Sequence, residues 1–254
     1  MADGLDPNRV TPPRLPLRRR GIYLLPNLFT TGVLFGGFFA IVQAMNGRYE
    51  IAAVAIYVAM VLDGLDGRVA RMTRTQSEFG AEYDSLADMV AFGAAPALVA
   101  YEWTLRDLGK LGWIAAFVYC AGTALRLARF NTNIDVVDKR YFQGLPCPAA
   151  AAVVAGLVWV VSDFDLTVGP ALTAISWAIT VFAGVTMVSN VPFYSFKDIN
   201  FKKRVPFWVI LALVAGLSVV SWRPSAILFL MALAFAFSGY VLWAMGHRVK
   251  RVEH

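Results

Sequence analysis

The stretch from residue 63 to residue 88 holds four aspartates, Asp63, Asp66, Asp84 and Asp88, and apolar runs lie on both sides of it. Carboxylates at the ends of hydrophobic helices are costly to remove from water, so such residues usually pair with a partner or hold an ion. These four side chains are therefore the first candidates for chemistry in this chain.

Helical spacing puts the aspartates on two matching faces. One face would carry Asp63, Asp66, Gly67, Ala70 and Arg71, and the other would carry Gly80, Asp84 and Asp88. The polar residues 72–79 predict a turn, so a helical hairpin would bring the two faces together. Four carboxylates in a poorly solvated site need cations, and oxygen ligands of this kind suit Mg²⁺ or Mn²⁺. Two such ions about 4 Å apart are the usual arrangement for phosphoryl transfer.

Residues beside the aspartates favour a phosphate ligand. Gly64 and Gly67 leave room for a ligand to approach the helix backbone, and Arg71 adds a cation that suits a phosphate. The alternative is that the aspartates are scattered helix-end charges at a solvated membrane surface. That interpretation suffices for one or two aspartates, but it does not explain four on two matched faces.

The signature of the CDP-alcohol phosphatidyltransferases resembles this stretch at every fixed position. The matching pattern is Asp63-Gly64-x-Asp66-Gly67-x-x-Ala70-Arg71, then eight residues, then Gly80-x-x-x-Asp84-x-x-x-Asp88. The resemblance implies an integral membrane enzyme with a di-metal site, which moves a phosphatidyl group from CDP-diacylglycerol to an alcohol and releases CMP. Members of the family are often dimers, which leaves a homodimer open, and we expect no nucleic-acid partner.

The resemblance also implies roles for individual residues. Asp63, Asp66 and Asp84 would be metal ligands, and Asp88 would contribute to the metal site and act as the general base. The residues expected to contact CDP-diacylglycerol are Asn27, Thr30, Gly64, Gly67, Arg71 and Ser77. Local roles compete with some of these, since Asn27 and Thr30 would also suit helix capping and a serine is common in a polar turn.

Composition excludes an ordinary soluble domain, because 58% of the 254 residues are hydrophobic and 16% are charged. Hydropathy predicts an all-α polytopic membrane protein with about eight transmembrane helices. The expected spans are about 25–44, 50–72, 83–101, 112–131, 148–162, 170–190, 206–221 and 225–245. Residues 1–20 predict a disordered basic segment, and 21–254 a single membrane catalytic domain with a six-helix core at about 25–192 and two C-terminal helices.

Charge distribution predicts the orientation. With this topology most Lys and Arg residues fall on the side that holds both termini and the acidic hairpin, and such residues favour the cytoplasm. We therefore expect an integral protein of the bacterial cytoplasmic (inner) membrane, with both termini and the active site cytoplasmic. The run 18–20 would contact anionic membrane lipids. Phe193, Tyr194 and Phe196 resemble an interfacial aromatic belt.

Three further stretches, 126–131, 142–148 and 188–197, resemble the phosphatidylserine synthase branch of the family, whose acceptor alcohol is L-serine. Serine carries a carboxylate, so its pocket should hold a fixed cation, and Arg126 or Arg129 is the candidate. Both arginines could equally extend toward lipid headgroups. Cys147 stands where the resemblance predicts a small residue such as Ser or Thr, a departure expected to affect packing more than chemistry.

Other functions remain open at this point. The acceptor could be glycerol 3-phosphate, inositol phosphate or choline; a phosphorylated acceptor would want a dense basic cluster, and Arg126, Arg129, Lys139 and Arg140 leave that alternative standing. A divalent-cation transporter would need acidic residues along a continuous path, but the outer halves of the spans are almost purely apolar. A lipid-binding scaffold gives no reason for four matched carboxylates.

Overall fold

The computed structural model describes residues 17–73, 77–132, 141–194 and 207–245, which form a helical bundle with one short pair of strands. The α-helices are α1 Leu17–Met45, α2 Tyr49–Thr73, α3 Glu78–Asp88, α4 Ala95–Trp103, α5 Lys110–Thr132, α6 Cys147–Asp163, α7 Pro170–Val188, α8 Phe207–Trp222 and α9 Pro224–Ala244. A π-helical segment, Met89–Ala94, joins α3 to α4, and a 3-10 turn, Leu105–Leu108, follows α4. Strand β1, Tyr141–Gln143, pairs antiparallel with β2, Pro192–Tyr194.

The all-α membrane architecture predicted from hydropathy is confirmed. Helix α3, the π segment and α4 follow one another without a break and correspond to one predicted span. The other helices of the described residues then follow in the same order as the remaining predicted spans. Within the described part of the chain, four helices are long and apolar enough to cross a membrane: Asn27–Met45, Lys110–Thr132, Pro170–Val188 and Pro224–Ala244. Helices suit a bilayer because they satisfy the backbone hydrogen bonds internally.

The first helix begins earlier than the predicted first span. α1 starts at Leu17, so residues 17–20, which were predicted to belong to the disordered N-terminal segment, are helical here. Arginine is a good helix former, so the run 18–20 can extend the helix beyond its apolar part. Residues 1–16 lie outside the described residues, and the prediction of disorder for them stays a prediction.

Helices α5 and α7 meet at two glycines. A Cβ at Gly122 would lie 2.4 Å from the Gly184 carbonyl oxygen, and one at Gly184 would lie 2.8 Å from the Cα of Tyr119. Small residues at a membrane helix contact let two backbones approach closely and gain dispersion attraction. The contact brings the C-terminal parts of α5 and α7 together, and Arg126 and Arg129 lie on that part of α5.

The two C-terminal helices have different surroundings. α9 packs against α6 and β2, whereas α8 packs mainly against α9 and exposes most of its described side chains. Phe193 of β2 is fully buried, and its ring centroid lies 5.7 Å from that of Phe235 on α9. The prediction that Phe193 belongs to an interfacial belt is therefore wrong, because the strand pair turns it into the bundle. Phe196 lies outside the described residues.

Candidate metal centre and substrate site

Helices α2 and α3 bring three of the four predicted aspartates together. Asp63 comes from α2, and Asp84 and Asp88 come from one face of α3. Each offers one carboxylate oxygen, and these atoms all lie within 4.8 Å of one another. All three residues are half-buried. The predicted meeting of two acidic helix faces is thus present for Asp63, Asp84 and Asp88.

This cluster fits a divalent metal ion. Like charges this close repel one another strongly where water is scarce, so a cation between them is favourable. The Oδ1 atom of Asp88 is buried and has no hydrogen-bond partner, whereas buried polar atoms normally have one. A donor set made only of carboxylate oxygens suits hard cations such as Mg²⁺ or Mn²⁺.

Asp66 lies beside the cluster and is held by Thr30. Asp66 is 5% exposed, and its Oδ2 accepts a hydrogen bond from the Thr30 hydroxyl on α1. Asp66 is not one of the three clustered carboxylates, so its predicted role as a ligand stays a prediction. Thr30, predicted to contact CDP-diacylglycerol, is itself only 2% exposed and here orients Asp66.

The π segment begins directly after Asp88. The Tyr119 hydroxyl on α5 donates a 3.0 Å hydrogen bond to the Phe92 carbonyl within it. On the other side, a Cβ at Gly37 of α1 would lie 2.5 Å from the Cα of Ala91, so α1 can approach only because Gly37 has no side chain. Segments of this kind often occur at functional sites. Nothing in the spacing of these residues indicates the π segment, because a buried tyrosine and a glycine are ordinary in apolar helices.

Two predicted substrate contacts, Ser77 and Asn27, lie near the start of α3, and a third, Gly64, lies on α2. Ser77 is the N-cap of that helix, and its hydroxyl accepts a 3.0 Å hydrogen bond from the Gly80 amide. A Cβ at Gly80 would lie 3.1 Å from Ser77 Oγ and 3.7 Å from Asn27 Oδ1, so Asn27 reaches the same place. Gly64 is exposed, with open space around it. The structure gives Ser77 a capping role, and its contact with the nucleotide lipid stays a prediction.

Gly67 and Arg71 complete the predicted set on α2. Gly67 is half-buried on that helix, near Asp66 in sequence. Arg71 also belongs to α2, but its side chain lies outside the described residues. Their predicted contacts with the phosphates of CDP-diacylglycerol therefore remain predictions.

Arg126 of α5 is buried close to the acidic cluster. It is 9% exposed, and its Nη1 donates a 3.2 Å hydrogen bond to the Cys147 thiol at the start of α6. Its Nε is buried and has no partner. The guanidinium also attracts the Asp88 carboxylate electrostatically. Cys147, expected to matter mainly for packing, therefore holds one side of a buried cation, a role that its position in the sequence does not reveal.

Arg129, one turn further along α5, has a different environment. Its Nη1 donates to the Val188 carbonyl at 3.0 Å and to Asn190 Oδ1 at 3.3 Å. Its Nη2 donates at 3.3 Å to each of three more carbonyls, those of Gln143, Met187 and Ser189. Cations at a helix C-terminus are favourable, and this one joins the end of α7 and the residues just after it to strand β1.

The apolar helices and the cluster of three carboxylates place this chain among helical membrane proteins with a candidate divalent-metal centre. Comparison of the sequence with protein families shows to which family of such proteins the chain belongs. Residues 23–183 match the CDP-alcohol phosphatidyltransferase model. The chain belongs to the CDP-alcohol phosphatidyltransferase family, which confirms the resemblance found in its acidic stretch.

Individual relatives agree with this assignment. A Helicobacter pylori protein named CDP-diacylglycerol–serine O-phosphatidyltransferase is 36% identical over 222 residues, covering 87% of this chain and 92% of its own. Proteins with the same name match from Methanocaldococcus jannaschii, at 34% identity over 56% of this chain and 63% of theirs, and from Saccharomyces cerevisiae, at 38% over 50% of each.

Proposed function

We propose that this protein transfers the phosphatidyl group of CDP-diacylglycerol to the hydroxyl of L-serine, giving phosphatidylserine and CMP. The observation that carries the proposal is the similarity to the Helicobacter pylori enzyme, which extends over 87% of the chain and so covers both the acidic cluster and α5. The cluster of Asp63, Asp84 and Asp88 supports the same class of chemistry, because its oxygens suit divalent ions.

The metal part of the proposal assigns two divalent ions, Mg²⁺ or Mn²⁺, to Asp63, Asp66, Asp84 and Asp88. Such ions, when bound, neutralise phosphate charge and polarise the phosphoryl group. Asp63, Asp84 and Asp88 supply the clustered oxygens. Asp66 presents its carboxylate in the orientation that the hydrogen bond from Thr30 imposes.

Asp88 is the proposed general base. Its Oδ1 is buried without a hydrogen-bond partner, so it has a lone pair available for the proton of the acceptor hydroxyl. The π segment that follows it is held by α1 and α5, which limits how far Asp88 can move. A general base must lie within hydrogen-bond reach of the proton that it removes, so this restraint serves the reaction.

The nucleotide lipid is proposed to lie along α2 and the start of α3. Gly64 faces open space, and Asn27 and Ser77 meet at the first turn of α3, where a ligand could reach polar side chains. Gly67 and Arg71 would contact the phosphates, as the family signature implies. Thr30 is proposed to contact the same lipid, beside Asp66, whose carboxylate it orients.

Of the two arginines proposed for the serine carboxylate, Arg126 has the better support. It is buried near Asp88 and keeps Nε without a partner, so a carboxylate can bind it without breaking a hydrogen bond there. Arg129 already donates to five acceptors, and a substrate would have to compete with them. For this assignment to hold, a serine whose carboxylate binds Arg126 must place its hydroxyl within hydrogen-bond reach of Asp88.

The remaining parts of the proposal concern the setting of the site. The charge bias of the sequence supports a cytoplasmic active site and cytoplasmic termini in the bacterial inner membrane. We also propose that residues 21–254 form one catalytic domain, since α9 packs on α6 and on the strand pair that Arg129 contacts. The homodimer is supported neither by the fold nor by the names of the relatives, and it is not part of the proposal.

The direct test is CMP release from CDP-diacylglycerol in detergent, with L-serine, glycerol 3-phosphate, inositol phosphate and choline offered separately and Mg²⁺ or Mn²⁺ supplied. We expect release with serine alone, and its loss with a chelator or in Asp88→Asn. Release with another acceptor would retain the metal mechanism and overturn the serine assignment. Absence of release with every acceptor, from folded and metal-loaded protein, would overturn the proposed reaction.

A further inference from the structure

A reciprocal pair of hydrogen bonds joins Ser85 of α3 to Asn131 of α5. The Asn131 amide nitrogen, Nδ2, donates to Ser85 Oγ at 3.1 Å, and the Ser85 hydroxyl is 3.4 Å from Asn131 Oδ1. Both residues are half-buried. Neither belongs to the acidic signature or to the candidate substrate contacts.

Ser85 lies between two of the clustered aspartates in sequence, so this hydrogen-bonded pair bears on the geometry of the cluster. Ser85 directly follows Asp84 and lies three residues before Asp88, so a shift at Ser85 moves two of the three clustered carboxylates together. Among the described residues, this is the one side-chain hydrogen-bonded link that joins α3 to α5. A short helix such as α3, with 11 residues, depends on tertiary contacts for its placement.

The other partner, Asn131, lies on a part of α5 that is firmly anchored. Arg129, two residues before it, donates to the end of α7 and to Gln143 of β1. The last turn of α5 therefore has a defined position relative to α7 and the strands. Asn131 extends that anchoring to α3.

We propose that Ser85 and Asn131 are positioning residues, which hold α3 so that Asp84 and Asp88 keep the spacing to Asp63 needed to bind a divalent ion. This inference rests on the metal role of the cluster in the proposed function, but not on the identity of the acceptor. Residues that orient metal ligands without touching the metal commonly affect its affinity. Mg²⁺ in particular requires near-ideal geometry, so a small displacement of α3 weakens binding.

The test is a Mn²⁺ titration of the purified full-length protein in detergent, followed by the electron paramagnetic resonance signal of unbound Mn²⁺, with no substrate present. We expect the dissociation constant to rise about 3- to 10-fold in Ser85→Ala and in Asn131→Ala, the range for one lost hydrogen bond. The double variant should be no worse than either single variant, because both lose the same interaction.

Two variants serve as controls. Ser85→Thr keeps the hydroxyl and should bind Mn²⁺ nearly as well as the unaltered protein. Thr132→Ala removes a neighbouring hydroxyl that bonds only within its own helix, to the Ala128 and Arg129 carbonyls at 3.1 Å, and should leave the dissociation constant unchanged.

Unchanged Mn²⁺ affinity in both single alanine variants would overturn the proposal, and so would effects that add in the double variant. If Asn131→Ala does not fold, Ser85→Ala and Ser85→Thr carry the test by themselves. A fall in thermal midpoint without a change in Mn²⁺ affinity would indicate a purely structural pair and would also overturn it. Mn²⁺ binding without serine-dependent CMP release would refute the acceptor assignment while leaving this inference intact.

Discussion

Two arginines one turn apart on α5 lie in regions of opposite character. Around Arg126, polar groups are buried without partners, since both its Nε and the nearby Asp88 Oδ1 make no hydrogen bond. Around Arg129, the guanidinium donates to five acceptors at the junction of α7 with β1 and β2. The same residue type, on the same helix, has a buried nitrogen without a partner in one region and five hydrogen-bond acceptors in the other.

The difference in hydrogen bonding between the two regions indicates that the Arg126 region serves function and the Arg129 region serves stability. Leaving a buried polar group without a partner costs roughly 1–3 kcal/mol, so a region that tolerates two of them is suited to gaining those partners from a ligand. A region in which both terminal nitrogens of the guanidinium are paired within the protein contributes to the folded state by itself. The comparison therefore predicts that changes near Asp88 and Arg126 affect catalysis, whereas changes at the Arg129 junction affect the free energy of unfolding.

The largest effect is expected for Asp88→Asn. Loss of the general base and of a metal ligand should lower kcat by about 10²- to 10⁴-fold. The thermal midpoint without metal should not fall, because the change keeps the side-chain shape and removes one of several crowded negative charges. The assays are CMP release and thermal unfolding in detergent. Asp163→Asn, whose carboxylate accepts a 2.6 Å hydrogen bond from Ser225, is the control and should keep full activity.

The second-largest effect is expected for Arg126→Ala. Losing a charge-assisted contact to the serine carboxylate should raise the KM for serine by about 10- to 100-fold, with a smaller change for CDP-diacylglycerol. Arg126→Lys keeps the charge but loses the planar donors, and should recover part of the affinity. Steady-state kinetics with each substrate varied in turn checks this, and an unchanged KM for serine would contradict the assignment.

Arg129→Ala tests the other side of the comparison. Removing a guanidinium that serves five acceptors should lower the free energy of unfolding by about 2–4 kcal/mol, seen as a lower thermal midpoint. The KM for serine should change less than in Arg126→Ala when the protein is assayed folded. Arg106→Ala, which breaks an exposed ion pair with Glu102 at 3.3 Å, should cost less than about 1 kcal/mol and is the matched control. A larger effect on serine affinity than on stability would reverse the comparison.

The smallest effect is expected for Tyr119→Phe, which removes the hydrogen bond to the Phe92 carbonyl in the π segment. Stability should fall by about 1 kcal/mol, and kcat should fall a few-fold because Asp88 immediately precedes that segment. Tyr57→Phe removes a similar bond, 2.8 Å to the Ala152 carbonyl, and should cost similar stability without loss of activity. Equal activities of the two variants would show that the π segment does not position Asp88.

Local periodicity made much of this site predictable. Asp84 and Asp88 share a helix face because they are four residues apart, and the apolar composition requires a helical membrane protein. The meeting of Asp63 with Asp84 and Asp88 follows from the few residues that separate α2 from α3 in sequence, since consecutive elements are usually adjacent in space. The family signature rests on this same local spacing, which is why its match to residues 23–183 was foreseeable.

Contacts between distant parts of the chain were not predictable in this way. Thr30 binds Asp66 across 36 residues, and Arg129 reaches acceptors 58 to 61 positions away on or beyond α7. Phe193 is buried because β2 folds back onto α9, although its neighbours in sequence suggested a membrane interface. By itself, then, the sequence determined the class of protein, the order of its helices and the acidic faces, because these depend on composition and on the helical repeat. Only the tertiary structure decided which polar side chains are paired and which remain available to a ligand, because that depends on the packing of helices far apart in the chain.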